Sequence, residues 1–220
     1  MAVGTTWLLF VLALPSLDAQ GSGLEALVGG GLVGLPLVVV GSLATSQCRP
    51  IPERDHAQRT RLAGAALLIG VGVGAINLGA NLAMATADTG IRALLDDHFA
   101  VPLTWTRTAS VAVVEEVVFR LVLMSVVAWV VARFAGRART VFLTALVVSA
   151  SLFAVVHLLG RPLPVHPTSA ALYASVVVLK SGVAGLVLGW VFWRWGLPYA
   201  ILCHFAANGL HNVFEPVLFS

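Results

Sequence analysis

Residues 109–132 read ASVAVVEEVVFRLVLMSVVAWVVA, and the reading of this stretch decides the fold. About 20 apolar residues in a helix cross the hydrocarbon core of a bilayer. This run has that length, yet carries Glu115, Glu116 and Arg120 in its middle. Similar apolar runs lie at 24–46, 62–86, 140–160 and 170–193, with a shorter one at 198–215 and a brief one at 3–17. The whole chain agrees: of 220 residues, 59% are hydrophobic and 10% are charged, and the mean hydropathy is +0.94. A soluble domain is closer to a quarter charged and could not hide this much apolar surface in one globule. The expectation is an all-α polytopic transmembrane bundle of about seven spans, without a separate soluble domain. The stretch 3–17 lacks Lys or Arg ahead of its apolar core and reads as an uncleaved opening span rather than a signal segment.

Twelve arginines and Lys180 make up the basic residues, for a net charge of +3. All but Arg120 and Lys180, which fall inside spans, flank the spans, and none forms a basic run interleaved with aromatics, so nucleic acid is excluded as a partner. One set of alternate loops holds Arg49, Arg54, Arg59, Arg61, Arg133, Arg137, Arg139 and Arg194, against Arg92, Arg107 and Arg161 on the other side. The positive-inside rule places the first set in the cytoplasm. A composition rich in Ala, Val, Gly and Arg and nearly free of lysine reads as a high-GC bacterium, hence a multi-pass protein of the plasma membrane. Residues 87–108, with Asp88, Arg92, Asp96 and Asp97, read as a short helix lying at the headgroups. Gly70, Gly72 and Gly74 follow no strand, so they read as close helix packing rather than a nucleotide loop.

Polar groups at membrane depth point to function. Glu116 and Arg120 are four apart and share a helical face, which makes them a natural ion pair. Glu115 is rotated by about 100° and is left for chemistry. Phe153 and His157 share a face of the 140–160 run, and His204, Asn208 and His211 form a stripe on the last run. Asn77, Asn81 and Lys180 read as structural, with Lys180 snorkelling or neutralising a carboxylate.

A glutamate and a histidine can activate water as a general base, and a second histidine with an asparagine amide can donate to the oxyanion formed at a peptide carbonyl. The same Glu115, His157 and His204 could instead hold Zn²⁺. No spacing selects the metal reading: there is no His-Glu-x-x-His and no cysteine cluster. A serine nucleophile lacks its Gly-x-Ser-x-Gly turn, and no Asp falls within a span.

Glu115-Glu116-x-x-x-Arg120, Phe153-x-x-x-His157 and His204-x-x-x-Asn208 match, in order and type, three motifs of the CPBP family. That family comprises type II CAAX prenyl endopeptidases and the bacteriocin-processing or self-immunity (Abi) membrane proteins. The resemblance covers residues 109–212, so 109–220 reads as a CPBP-like catalytic core and 1–108 as N-terminal spans without a matched motif. It implies an intramembrane endopeptidase acting on a membrane-associated protein or peptide. Glu115 and His157 would activate water, His204 and Asn208 would hold the oxyanion, and Glu116, Arg120 and Phe153 would support them. Prenyl-protein members look like metal-independent glutamate enzymes, which favours no cofactor over Zn²⁺. The rival reading is a non-enzymatic membrane protein, either a peptide-binding immunity factor or a proton-coupled transporter. The span limits put Glu115 and His157 in the half of the bilayer opposite His204, a depth difference of roughly 10 Å.

Overall fold

The structure, a computed structural model, describes residues 38–46, 54–99, 104–135, 137–159 and 161–219. Among these residues helix is the only regular secondary structure. Residues 38–46 are helical, followed by α1 (His56–Ala87), α2 (Thr89–Phe99) and α3 (Trp105–Glu116). A π-helical segment (Val117–Met124) joins α3 to α4 (Ser125–Ala132), and α5 (Ala138–Leu159), α6 (Pro167–Trp195) and α7 (Leu197–Leu218) complete the chain. Three of these helices, α1, α5 and α6, are long and apolar enough to cross a membrane by length and composition. Leu68 and Ile76 on α1, Val147 on α5 and Leu179 on α6 turn outward, as lipid-facing side chains do. The protein is thus a membrane-embedded helical bundle. The runs at 109–132 and 198–215 are helical over 105–132 and 197–218 but are not among the three spanning helices. The expected opening span at 3–17, and most of the one at 24–46, lie outside the described residues.

Local chemistry explains the helix ends. The Asp55 carboxylate caps α1 by accepting from the Gln58 amide at 2.7 Å, and the Thr104 hydroxyl caps α3 through the Arg107 amide at 3.3 Å. Asp88 ends α1 and starts α2, where one carboxylate oxygen accepts from the amides of Gly90 and Ile91 at 2.8 and 2.9 Å. Its other oxygen accepts from the Ser169 hydroxyl at the head of α6. That hydroxyl first, and the Ile91 amide next, hold the exposed Asp88 carboxyl below the usual carboxylate range. The tie is therefore complete at neutral pH and is lost as pH falls through the lowered value. The short helix expected within 87–108 is α2. Between α6 and α7 the chain reverses on Gly196 alone, at φ 101°, a left-handed backbone that favours glycine, and Pro198 follows within the first turn of α7.

The two most extensive helix pairings are α1 with α7 and α5 with α6. Their seams are lined by glycine. A side chain at Gly70 would strike the Cys203 carbonyl, and one at Gly74 would lie 2.8 Å from the Ala207 carbonyl, both on α7. On α6, Gly185 faces Ala150 of α5, where an added Cβ would sit 3.0 Å from that residue's Cα. Without water to squeeze out, helices in lipid associate through such close contact. The glycine run at 70–74 is thus packing as expected at its two ends, while Gly72 between them faces open space.

The glycine geometry predicts that Gly70→Ala destabilises the protein by about 1–3 kcal/mol, because a backbone carbonyl cannot step aside. Gly72→Ala should be neutral or slightly stabilising. Thermal unfolding of both variants in detergent checks the contrast; equal melting temperatures would refute the seam.

Candidate active site

The continuous helical rod 105–132 supplies Glu115, Glu116 and Arg120, and its π-helical turn begins directly after the two glutamates. A π segment replaces the regular i→i+4 ladder with i→i+5 bonds, and such segments recur at functional sites. Here Ser149 of α5 donates to the Phe119 carbonyl at 2.8 Å, and Ser125 donates to the Arg120 carbonyl at 3.2 Å. Both carbonyls thus accept from hydroxyls, and the Ser149 bond fastens the rod to α5.

Glu116 and Arg120 are fully buried, with Arg120 Nε 3.4 Å from Glu116 Oε2. The guanidinium lies 4.7 Å above the Phe153 ring centroid, a cation–π contact that helps a charge remain in an apolar interior. Glu116 has a second partner across the bundle: His204 Nδ1 donates to its Oε1 at 2.9 Å. One carboxylate therefore links the rod to α7, while Arg120 links it to α5.

His157 is fixed from its own helix. Its Nδ1 donates to the Phe153 carbonyl at 2.9 Å, and the two rings lie 4.2 Å apart between centroids. With Nδ1 committed in both histidines, Nε2 of each is the atom turned toward Glu115. His157 Nε2 and His204 Nε2 each lie 3.6 Å from Glu115 Oε2. That is beyond hydrogen-bond length, and Glu115 Oε2 is buried without a hydrogen-bond partner. A buried carboxylate oxygen in that state leaves a place for a proton-bearing third group. The Glu115 side chain is about a quarter open, at 26%, and that of His157 at 24%. The centre is thus reachable, whereas Glu116 and Arg120 behind it are sealed.

Asn208 lies one turn beyond His204 on α7, half-buried, and its amide makes no hydrogen bond among the described residues. Glu115, His157 and His204 therefore meet, and Asn208 sits beside them uncommitted. The expected depth mismatch disappears because tertiary packing brings His204 of α7 level with Glu115, although their positions along their own helices differ. Sequence periodicity could not show that Glu116 serves His204 as well as Arg120, since the partner is 88 residues away. Among the described residues no group of three or more His, Cys, Asp or Glu side chains is spaced to hold a metal ion, Glu115, His157 and His204 included.

A second buried polar chain stands further along α7. Lys180 donates to the Asn81 side-chain oxygen, the Asn81 amide donates to Glu215 Oε1 at 2.6 Å, and His211 Nδ1 donates to the same oxygen at 2.7 Å. Lys180 thus reaches a carboxylate through Asn81 rather than directly. Glu215 escaped the sequence reading because it stands at the very end of the last apolar run. Continuing the stripe 204, 208, 211 by one more turn would have found it.

The centre is thus a buried, charge-bearing cluster, partly open at Glu115 and His157, within a bundle whose helices include three of membrane-spanning length. A family model described as type II CAAX prenyl endopeptidase Rce1-like matches residues 97–210, just over half of the 220-residue chain. The chain belongs to this family of proteases, in agreement with the motif resemblance. No curated protein and no solved structure matches it.

The two neighbouring glutamates should behave oppositely when truncated. Glu116→Ala leaves Arg120 as an uncompensated buried charge and should cost about 3–5 kcal/mol. Glu115→Ala removes an oxygen that has no hydrogen-bond partner and should leave the melting temperature nearly unchanged. Thermal unfolding of the two variants in the same detergent measures the difference.

Proposed function

We propose that the protein is an intramembrane endopeptidase that hydrolyses a peptide bond of a membrane-associated protein or peptide with a water activated by Glu115 and His157. The observation that carries this reading is the unpartnered, buried Glu115 Oε2, equidistant at 3.6 Å from His157 Nε2 and His204 Nε2. A water beside Glu115 Oε2 and His157 Nε2 donates a hydrogen bond to each and turns its oxygen lone pair to the substrate. Attack on the scissile carbonyl passes the first proton to Glu115, and the carbonyl oxygen takes up negative charge. His204, whose Nδ1 is held by Glu116, donates from Nε2 in its imidazolium form, and the free Asn208 amide supplies a second donor. Collapse of the tetrahedral intermediate breaks the C–N bond, and the proton on Glu115 goes to the leaving amine. Glu116, Arg120 and Phe153 are positioning residues: they hold the two imidazole rings and keep the helices in register. Family membership supports the CAAX-type protease kind, and the resemblance of the three motifs supports these assignments.

The test uses the purified full chain in detergent with a fluorogenic peptide library. Glu115→Ala and His157→Ala should each lower kcat by about 10²- to 10⁴-fold, and Asn208→Ala by about 10²- to 10³-fold with little change in KM. Cleavage undiminished in the folded Glu115→Ala protein would overturn the mechanism. Cleavage that tracks a stoichiometric zinc would move Glu115, His157 and His204 into ligand roles.

A further inference from the structure

Away from the catalytic centre, the head of α1 and the tail of α6 form an open cavity of about 610 Å³ whose lining includes Arg54, Gln58, Arg61, Trp193, Arg194 and Trp195. We infer that this cavity is a binding site for a phosphate oxyanion, of the kind carried by an anionic lipid headgroup.

Position is the first support. Arg54, Gln58 and Arg61 occupy the cap and first turns of α1, just before its apolar run begins at Leu62. Trp193 and Trp195 close α6. Both helices are long and apolar enough to span a membrane, so the cavity sits where hydrocarbon gives way to headgroups, the depth at which tryptophan collects.

Pre-organisation is the second. Arg54 donates to the Trp195 and Arg194 carbonyls at 2.7 and 3.0 Å and lies 5.6 Å from the Tyr199 ring centroid, which fixes the cavity floor. Trp193 is held by Phe142 at 5.2 Å between ring centroids, and Trp195 by Trp190 at 5.4 Å. Two of the wall side chains are therefore braced by neighbouring rings.

Charge is the third. The lining carries three arginines and no acidic residue, and the neighbouring Asp55 is occupied in capping α1. Arg61 is exposed and makes no hydrogen bond or ion pair among the described residues. A planar guanidinium without a partner, beside two others, is suited to bidentate contact with phosphate oxygens. Basic pockets between transmembrane helices take phospholipid headgroups by this chemistry.

The shared chemistry has two sources, a lipid headgroup and free phosphate, and the experiment separates them. The full chain and its Arg61→Gln/Arg194→Gln variant are mixed with equal phosphatidylglycerol and phosphatidylethanolamine, and bound lipid is read by native mass spectrometry. Arg54 is kept because it caps α6. The wild type should retain phosphatidylglycerol preferentially, and the variant should lose roughly 20- to 30-fold of that retention, about fivefold per arginine near the membrane surface. Arg137→Gln/Arg139→Gln removes the same charge outside the cavity and should change nothing. No lipid preference, but a rise in melting temperature with inorganic phosphate that the first variant lacks, would make free phosphate the ligand. Equal retention by wild type and the first variant with no phosphate shift, or equal loss in both double variants, would overturn the site. If the double variant does not fold, Arg61→Gln alone, which breaks no contact, gives the same reading.

Discussion

The carboxylate of Glu116 is the contact on which the arrangement of the centre depends. It is buried with Arg120 in an environment where neither charge could stand alone. Arg120 stacks on Phe153 of α5, and His204 of α7 donates to the other oxygen of Glu116. Three helices are thereby joined through one buried group. The same bonds commit Nδ1 of His204 and, through Phe153, align the ring of His157, so stability and orientation come from the same atoms.

The π-helical turn makes that junction possible. Within the π-helical segment Val117–Met124, the carbonyls of Phe119 and Arg120 accept from the hydroxyls of Ser149 and Ser125. The segment 38–46 presses on the same turn: a side chain at Gly41 would collide with the Leu121 carbonyl, and Thr45 shares a 2.7 Å hydrogen bond with Ser125. Unpaired backbone in lipid is tolerated only where protein satisfies it. The local irregularity beside the glutamates is therefore held by hydroxyls and close helix contact, not by lipid.

Polar groups divide along α7 by how completely they are paired. His211 and Glu215 belong to a closed chain with Asn81 and Lys180 in which every link is a short hydrogen bond, the signature of a structural network. Around Glu115 the pairing is incomplete: one carboxylate oxygen has no hydrogen-bond partner and the Asn208 amide is uncommitted. The incompletely paired set is where a substrate and a water find room. The closed set braces α7 against α1 and α6.

Much of this was legible in the residues. Apolar runs of spanning length gave the helices, because in lipid a backbone must satisfy itself within each segment. The i, i+4 spacing of Glu116 and Arg120 gave their pairing, a contact between neighbours on one helix. Glu115 stood out because the same periodicity turned it away from that pair. What no periodicity contains is contact between distant segments. That Glu116 reaches His204, that Glu215 answers Asn81 and Lys180, and that three helices bring Glu115, His157 and His204 to one point despite their different heights along each helix were decided by packing. Glycine seams, a π turn and helix tilt set those distances, and each depends on surfaces that meet only when the bundle closes.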